Sequence, residues 1–175
     1  DVSVATVSIY PFQYNPQSNS IEVITNAQLR VEISEPGRAI DPQRKISRAF
    51  EPIYKSVILN YDDISRDVEY QQPSYLFITP NDAQVLPVLE TLTTWKHQMG
   101  WDVTVATLSE TGTSSQSIKN YIQDAYNNWD VPPEYVCIVG DAGGSFDVPT
   151  FYQGGGVGDH GYTTLSGNDI LADIN

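Results

Sequence analysis

The chain has 175 residues, of which 22 are Asp or Glu and only 9 are Lys or Arg, so its formal net charge is −13. A chain this acidic is a poor partner for the phosphate backbone of a nucleic acid or for an anionic membrane surface. Its single cysteine excludes an internal disulfide framework and a multi-cysteine zinc site, and two histidines argue against a His-rich metal site. No apolar stretch is long enough to span a bilayer.

The first 35 residues contain apolar residues that alternate with polar ones, a pattern that predicts antiparallel strands. The apolar positions are Val2, Val4, Val7, Ile9, Ile21, Val23, Leu29, Val31 and Ile33. We therefore expect a small, half-exposed antiparallel β unit that packs against another part of the chain. Residues 36–74 show no sustained period, and we interpret them as a long connection with one short helix near residues 54–60.

From Tyr75 onward, short apolar runs alternate with stretches of helical period. Strands are predicted at 75–79, 102–107 and 135–139. The first helix between them ends at Gly100, and the second begins at Ser114 or Ser115. The apolar stripes of the two helices are Val85, Val88, Leu89, Leu92, Trp95 and Met99, and then Ile118, Tyr121, Ile122, Ala125, Tyr126 and Trp129. This βαβαβ order predicts an α/β fold with a parallel sheet and flanking helices.

The strand predicted at 135–139 is rich in β-branched residues and is expected at the centre of the sheet, buried on both faces. Cys137 lies in its middle, so we expect a buried, inert thiol rather than a nucleophile. His97 is expected on the surface. His160 follows Asp159 and could do acid–base work, although a plain loop role is favoured. No complete Cys/His or Ser/His/Asp set can be assembled from these residues.

The turn after the first predicted strand, residues 79–82, is acidic and contains a proline, so it does not match a phosphate-binding glycine-rich turn. Carboxylates follow the third strand instead: Asp141 comes directly after it, and Asp169 and Asp173 lie in a later loop that could fold back onto it. Calcium takes about six to eight oxygen ligands from carboxylates and carbonyls. The spacing is compatible with a calcium site or with a simple turn and a surface charge, and no EF-hand pattern decides between them.

Several segments resemble, in order and spacing, the gingipain family of cysteine peptidases. They are residues 75–79, 95–103, 118–122, 133–141, 158–162 and 167–174. The resemblance covers residues 74–175, and residues 9–34 resemble the end of the family's propeptide. Arg66–Asp67, or a basic residue upstream, would then lie near the point where the propeptide is released.

The resemblance implies a caspase-like α/β catalytic domain of two subdomains. Residues 67–175 would form the first subdomain, and residues 1–66 would be the β-rich end of the propeptide with its linker. The catalytic His and Cys of the family are expected in the second subdomain, beyond Asn175, so no catalytic residue is expected within this chain.

The resemblance also implies a Ca²⁺ site at the acidic loop. Its ligands would be the side chains of Asp141, Asp169 and Asp173 and the backbone carbonyls of Ser166 and Leu171. Asp173 stands where some relatives have the longer glutamate, so its coordination is expected to be monodentate or through water.

These features together indicate the N-terminal portion of a secreted or cell-surface gingipain-like cysteine endopeptidase. The portion is expected to be inactive alone and to need the second catalytic subdomain as its partner for cleaving protein or peptide substrates. The alternative is a non-catalytic, calcium-stabilised surface or secretion-associated module on the same fold. The two differ in one respect that can be checked, since only the peptidase needs His and Cys at the ends of later strands.

Overall fold

The computed structural model describes residues 6–30, 45–64, 69–153, 155–166 and 172–174. These residues belong to two compact units, one on each side of residues 31–44, and each is described separately. Within the described ranges no helix combines the length and apolar character that crossing a membrane requires.

The first unit contains an antiparallel hairpin formed by β1 (Phe12–Asn15) and β2 (Ser20–Val23). The register places four apolar side chains on one face of this hairpin because side chains alternate along a strand. The four are Phe12, Tyr14, Ile21 and Val23, and each is more than half exposed. The small antiparallel β unit predicted from the sequence is therefore confirmed.

The strands of this unit cover only part of the sequence in which apolar and polar residues alternate. Val7, Ile9 and Leu29 lie outside strands, and the predicted positions at 2, 4, 31 and 33 lie outside the described residues. The partner of β2 is instead the segment directly before the turn. Asn15 closes that turn by accepting the Gln17 amide at 3.0 Å, so the chain reverses early and pairs the residues that flank the turn.

The second unit begins with short elements that precede the main sheet. They are β3 (Ile46–Ser47), α1 (Glu51–Val57), α2 (Tyr61–Ile64) and β4 (Tyr70–Gln71). Strands β3 and β4 pair in parallel, and we call the described residues 45–64 and 69–71 the strap. The helix predicted near 54–60 begins earlier, because Pro52 favours the first turn of α1 and Ile58 is already extended.

The main sheet has three parallel strands in the order β6-β5-β7. Its elements are β5 (Ser74–Thr79), α3 (Val85–Gln98), β6 (Asp102–Thr107), α4 (Leu108–Thr111), α5 (Ser115–Asn128) and β7 (Tyr135–Ile138). The predicted α/β fold with a parallel sheet and flanking helices is thus confirmed. The prediction that β7 lies at the centre of the sheet, buried on both faces, is wrong. The central strand is β5, and among the described residues β7 pairs with β5 alone and is only half-buried.

The predicted helix ends agree with the structure. Ser114 is the N-cap of α5, and its hydroxyl accepts the Ser117 amide at 3.1 Å. Gly100 follows α3 with a φ of 83°, the left-handed conformation that glycine adopts most easily. The short helix α4 was not predicted from the sequence. It is held by a capping box in which the Thr107 amide donates to Glu110 Oε2 at 2.8 Å.

The sheet has two unlike faces. The side packed by α5 forms the apolar core, whose buried members are Leu76, Ile78, Ala106, Ile118, Ile122, Ala125, Tyr126, Val148, Tyr162 and Ile174. The other side is aromatic, since the ring of Tyr75 lies within about 5 Å of the rings of Phe77, Trp101 and Tyr135. The α5 stripe predicted from the sequence matches the first of these faces.

The sequence predicted an apolar stripe of six α3 residues that would pack on the sheet, and for four of them this prediction is wrong. Val88 is 75% exposed, Trp95 and Met99 are each 52% exposed, and Leu92 is 39% exposed. The side of α3 that packs on the sheet is the neighbouring line through Leu89 and Thr93. We call the exposed residues 88, 92, 95 and 99 the α3 stripe.

Two further elements follow the sheet and were not predicted. An antiparallel hairpin joins β8 (Phe151–Gln153) to β9 (Gly156–Gly158), and α6 (His160–Thr163) comes directly after it. Gly161 allows close packing here, because a Cβ at this position would lie 2.5 Å from the Phe151 ring. These elements cover the end of the apolar core near Tyr162.

We predict that Leu76→Ala lowers the free energy of unfolding by about 2–5 kcal/mol, because Leu76 has no exposed surface and its loss leaves a cavity in the core. Leu59→Ala is the matched control, since Leu59 is fully exposed, and it should change stability by about 0.5 kcal/mol or less. Urea denaturation of both variants measures the difference. Equal effects of the two substitutions would contradict the position of β5 in the core.

Candidate metal centre

Asp141 follows β7 at the carboxyl end of the sheet, as predicted. Its amide donates to the Phe146 carbonyl at 2.9 Å, and its carbonyl accepts the Val148 amide at 2.8 Å, so the loop closes on itself. Gly140 is required for this closure, since a Cβ there would lie 2.4 Å from Val148 Cγ2. The Asp141 side chain is exposed, and its Oδ1 accepts the Ala142 amide at 2.7 Å.

Asp173 has a different environment, because its carboxylate is held by the loop that follows α6. Asp173 Oδ2 accepts the amides of Leu165 and Ser166 at 2.6 and 2.7 Å, and Oδ1 accepts the Ser166 hydroxyl at 2.5 Å. The Asp173 amide in turn donates to the Thr163 carbonyl at 2.8 Å. The structure therefore brings the predicted residues Ser166 and Asp173 together, through hydrogen bonds.

Asp169 and Leu171 lie outside the described residues, so their part in the predicted site is not described. Within the described ranges, no group of three or more His, Cys, Asp or Glu side chains is arranged to hold a metal ion. A second acidic residue does share a cavity of about 160 Å³ with Asp141, namely Asp159, whose Oδ1 accepts the Thr150 hydroxyl at 3.3 Å. From its place in the sequence, Asp159 is expected only to act as a partner of the neighbouring His160.

The chemistry of these donors fits calcium at Asp141 better than at Asp173. A carboxylate offers about four lone-pair sites, and metal coordination needs sites that are not already filled. In the described part of the chain, Asp141 accepts one hydrogen bond and Asp173 accepts three. Asp141 therefore retains most of its capacity as a ligand, whereas Asp173 is largely used in holding its own loop.

Cys137 lies in β7 opposite Phe77 and is half-buried. Burial raises the pKa of the Cys137 thiol, so the thiol stays protonated at neutral pH and is a weak nucleophile. His97 lies in α3 and His160 begins α6, and both are exposed. The raised pKa of Cys137 supports the expectation of an unreactive thiol, and its low reactivity stays a prediction.

We expect Cys137 in the folded chain to react with a thiol reagent at pH 7 at least about tenfold more slowly than in the chain unfolded by urea. The rate should rise as pH approaches the raised pKa, because only the thiolate reacts. The measurement is labelling followed by mass spectrometry. Reaction at the unfolded rate under native conditions would contradict this assignment.

Comparison with known proteins agrees with this architecture. The model of peptidase family C25 matches residues 68–175, and the C25 propeptide model matches residues 1–69. Gingipain R2 of Porphyromonas gingivalis strain W83 is 28% identical over 179 residues, which cover 99% of this chain and 24% of that protein. Lys-gingipain of Porphyromonas gingivalis is 30% identical over 152 residues, which cover 80% of this chain and 8% of that protein.

A crystal structure of the Arg specific cysteine proteinase gingipain R superposes with a TM-score of 0.50 at 19% identity. The superposition covers 59% of this chain and 23% of that chain, and it supports the fold. The chain thus spans 24% or less of the length of the relatives it matches. Because the peptidase model matches more than half of its residues, the chain belongs to peptidase family C25.

Proposed function

We propose that this chain is the N-terminal portion of a secreted or cell-surface gingipain-like cysteine endopeptidase. Residues 1–66 are the end of the propeptide with its linker, and residues 67–175 are the first of two subdomains in a caspase-like catalytic domain. The observation that carries the proposal is the match of the propeptide and the peptidase models to consecutive parts of one chain. The complete protein would cleave peptide bonds in proteins by thiolate attack on the carbonyl, with a histidine carrying the proton.

The chemistry of the described residues supports a catalytic pair supplied by a second subdomain. The Cys137 thiol lies in a strand, and its pKa is raised by burial, which is opposite to what a thiolate nucleophile needs. The nucleophile and the base are therefore assigned to the part of the peptidase that follows this subdomain.

The surface of α3 supports the same partner. The α3 stripe has the spacing four, three, four that an apolar helix face shows when another element packs on it. Val88 and Leu92 of this stripe help to line an apolar groove of about 410 Å³, whose other wall is the loop after β7. The groove is lined by Gln84, Val85, Val88, Leu89, Leu92, Val139 and Phe146. An apolar surface of this kind in a chain that is part of a longer protein suits burial against the second subdomain.

The proposal predicts that this chain alone does not hydrolyse peptides, whereas the complete gene product does and is blocked by a thiol alkylating reagent. In the complete protein, Cys137→Ala should leave the rate of peptide hydrolysis unchanged, because the Cys137 thiol is not the nucleophile. A fluorogenic peptide assay measures both. Loss of activity in Cys137→Ala would overturn the assignment, and a complete protein without thiol-dependent hydrolysis would favour a non-catalytic, calcium-stabilised module.

We further propose a structural Ca²⁺ site. Its ligands are the side chains of Asp141, Asp169 and Asp173 and the carbonyls of Ser166 and Leu171. The exposed carboxylate of Asp141, with most of its lone pairs free, supports this site among the described residues. Calcium supplies charge neutralisation for carboxylates that would otherwise repel one another, so it is expected to stabilise the folded state.

Calcium at about 10 mM should raise the free energy of unfolding by about 1.4–2.7 kcal/mol relative to chelator, if Kd lies at about 10⁻⁴–10⁻³ M. Asp141→Ala should remove most of the resulting shift in Tm, whereas Asp130→Ala, an exposed carboxylate on the loop after α5, should keep it. Asp173→Ala should lower Tm even in chelator, because three hydrogen bonds are lost. Equal Tm values of the unaltered chain in calcium and in chelator would contradict the site.

A further inference from the structure

Glu134 is a buried carboxyl group that neither the metal site nor the peptidase chemistry uses. It precedes β7 directly and is only 3% exposed. Neither of its carboxylate oxygens makes a hydrogen bond of normal geometry in the described part of the chain, and the hydroxyl of Ser47 is unsatisfied as well. A charged carboxylate in such a place is costly, whereas a neutral carboxyl is tolerated.

The groups around Glu134 come from the strap and from the start of the sheet. The Glu134 amide donates to Ser74 Oγ at 3.0 Å, and Ser74 Oγ donates to the Pro132 carbonyl at 2.6 Å. Gln71 of β4 reaches the same carbonyl through its Nε2 at 3.3 Å. Glu134 is thus buried where the β3–β4 pair meets the segment leading into β7.

The charges near Glu134 do not compensate for its burial. Burial raises the pKa of Glu134. Weaker hydrogen-bonding contributions from the Ser47 and Gln71 side chains and from the Ser74 amide lower it. The charged groups of the strap are engaged with one another: Lys45 pairs with Glu69 at 3.2 Å, Lys55 pairs with Glu51 at 2.8 Å, and Arg48 lies 4.7 Å above the Tyr70 ring. On β7 the neighbouring Tyr135 has a pKa raised by burial and then by the Glu134 charge.

An aromatic contact gives the strap a second attachment to the same strand. The ring of Phe50 stacks on that of Tyr135 with centroids 6.1 Å apart and planes at 11°. Within the strap, Tyr54 packs against Tyr61 at 5.6 Å. The strap therefore contacts the segment leading into β7 through one aromatic stack and through the Gln71 hydrogen bond to Pro132, and the Glu134 carboxyl is buried beside these contacts.

We propose that Glu134 is a proton-operated latch: its neutral carboxyl holds the strap against β7, and its ionisation at higher pH loosens the strap. When protonated, the group has a hydroxyl that can donate to Ser47 Oγ, and when ionised it has only acceptors. Because residues 45–64 fall in the part that matches the C25 propeptide, the latch would, on the proposed function, make attachment of the propeptide end to the first subdomain depend on pH. The latch itself needs only this chain.

The direction of the pH effect follows from linkage. The closed state binds the Glu134 proton more tightly than the open state, in which the carboxyl titrates at its ordinary pKa of about 4.3. The latch is therefore fully effective below that ordinary pKa. It weakens as pH rises and loses its contribution once pH passes the raised pKa of the closed state. Each unit of difference between the two pKa values changes the closing equilibrium by up to about tenfold.

Glu134→Gln tests the latch, because glutamine has the shape of the neutral carboxyl and cannot ionise. Hydrogen–deuterium exchange of residues 45–64 in the whole 175-residue chain should be alike in both proteins at pH 5. At pH 8 the unaltered chain should exchange there at least about tenfold faster than Glu134→Gln. The two proteins are compared with each other at the same pH, so the intrinsic effect of pH on the exchange rate cancels. Glu90→Gln, an exposed position on α3, is the matched control and should behave as the unaltered chain does.

A second measurement needs no variant. The ¹³Cδ chemical shift of Glu134 in the unaltered chain should titrate above the ordinary carboxyl range, and strap exchange should rise over the same pH interval. Three results would overturn the latch. The strap of the unaltered chain could differ in exchange from that of Glu134→Gln by the same factor at pH 5 and pH 8, or the strap of Glu134→Gln could exchange faster than that of the unaltered chain at pH 5. The third is a Glu134 carboxyl that titrates near pH 4.3. None of these readouts uses peptidase activity, so failure of the latch and failure of the proposed function remain distinguishable.

Discussion

Strand β5 makes backbone hydrogen bonds along both of its edges, with β6 over six residues and with β7 over four. Its middle residues Leu76, Phe77 and Ile78 have almost no exposed surface. A buried backbone group left unpaired costs about 1–3 kcal/mol, so neither neighbour can slip without a penalty at every lost pair. The directions of both flanking strands, and with them the positions of the loops at the carboxyl edge, follow from β5.

The alternation of side chains along β5 gives the sheet its two unlike faces. Leu76 and Ile78 enter the apolar core under α5, while Tyr75 and Phe77 begin the aromatic face. Lys96 of α3 lies 4.5 Å from the Tyr75 ring centre and 4.8 Å from that of Trp101, a cation–π arrangement. Lys96 lies three residues after Thr93, on the side of α3 where Leu89 and Thr93 are buried, and the α3 stripe is exposed.

The sequence was sufficient for features set by neighbouring residues. The apolar runs of β5, β6 and β7, the Ser114 cap and the Gly100 stop each depend on contacts within a few positions. The central position of β5 and the rotation of α3 depend on contacts between distant segments, which periodicity does not contain. The same limit applies to the strap, whose two-residue strands pair across more than twenty positions, and to Glu134, a single polar residue between Pro133 and Tyr135 with no pattern to mark its burial.

Asp141 and Asp173 were both predicted to be calcium ligands, yet their carboxylates make different contacts in the structure. Asp173 satisfies the Leu165 and Ser166 amides and the Ser166 hydroxyl, so it fixes the loop after α6 without a metal. Among the described residues the Asp141 carboxylate accepts one hydrogen bond, from the Ala142 amide, so it keeps more lone pairs for a cation than the Asp173 carboxylate does. Calcium, in the proposed site, would then add a local interaction to a loop whose course Asp173 already determines. Removing Asp173 would take away three hydrogen bonds and one proposed ligand, whereas chelation would remove only the metal.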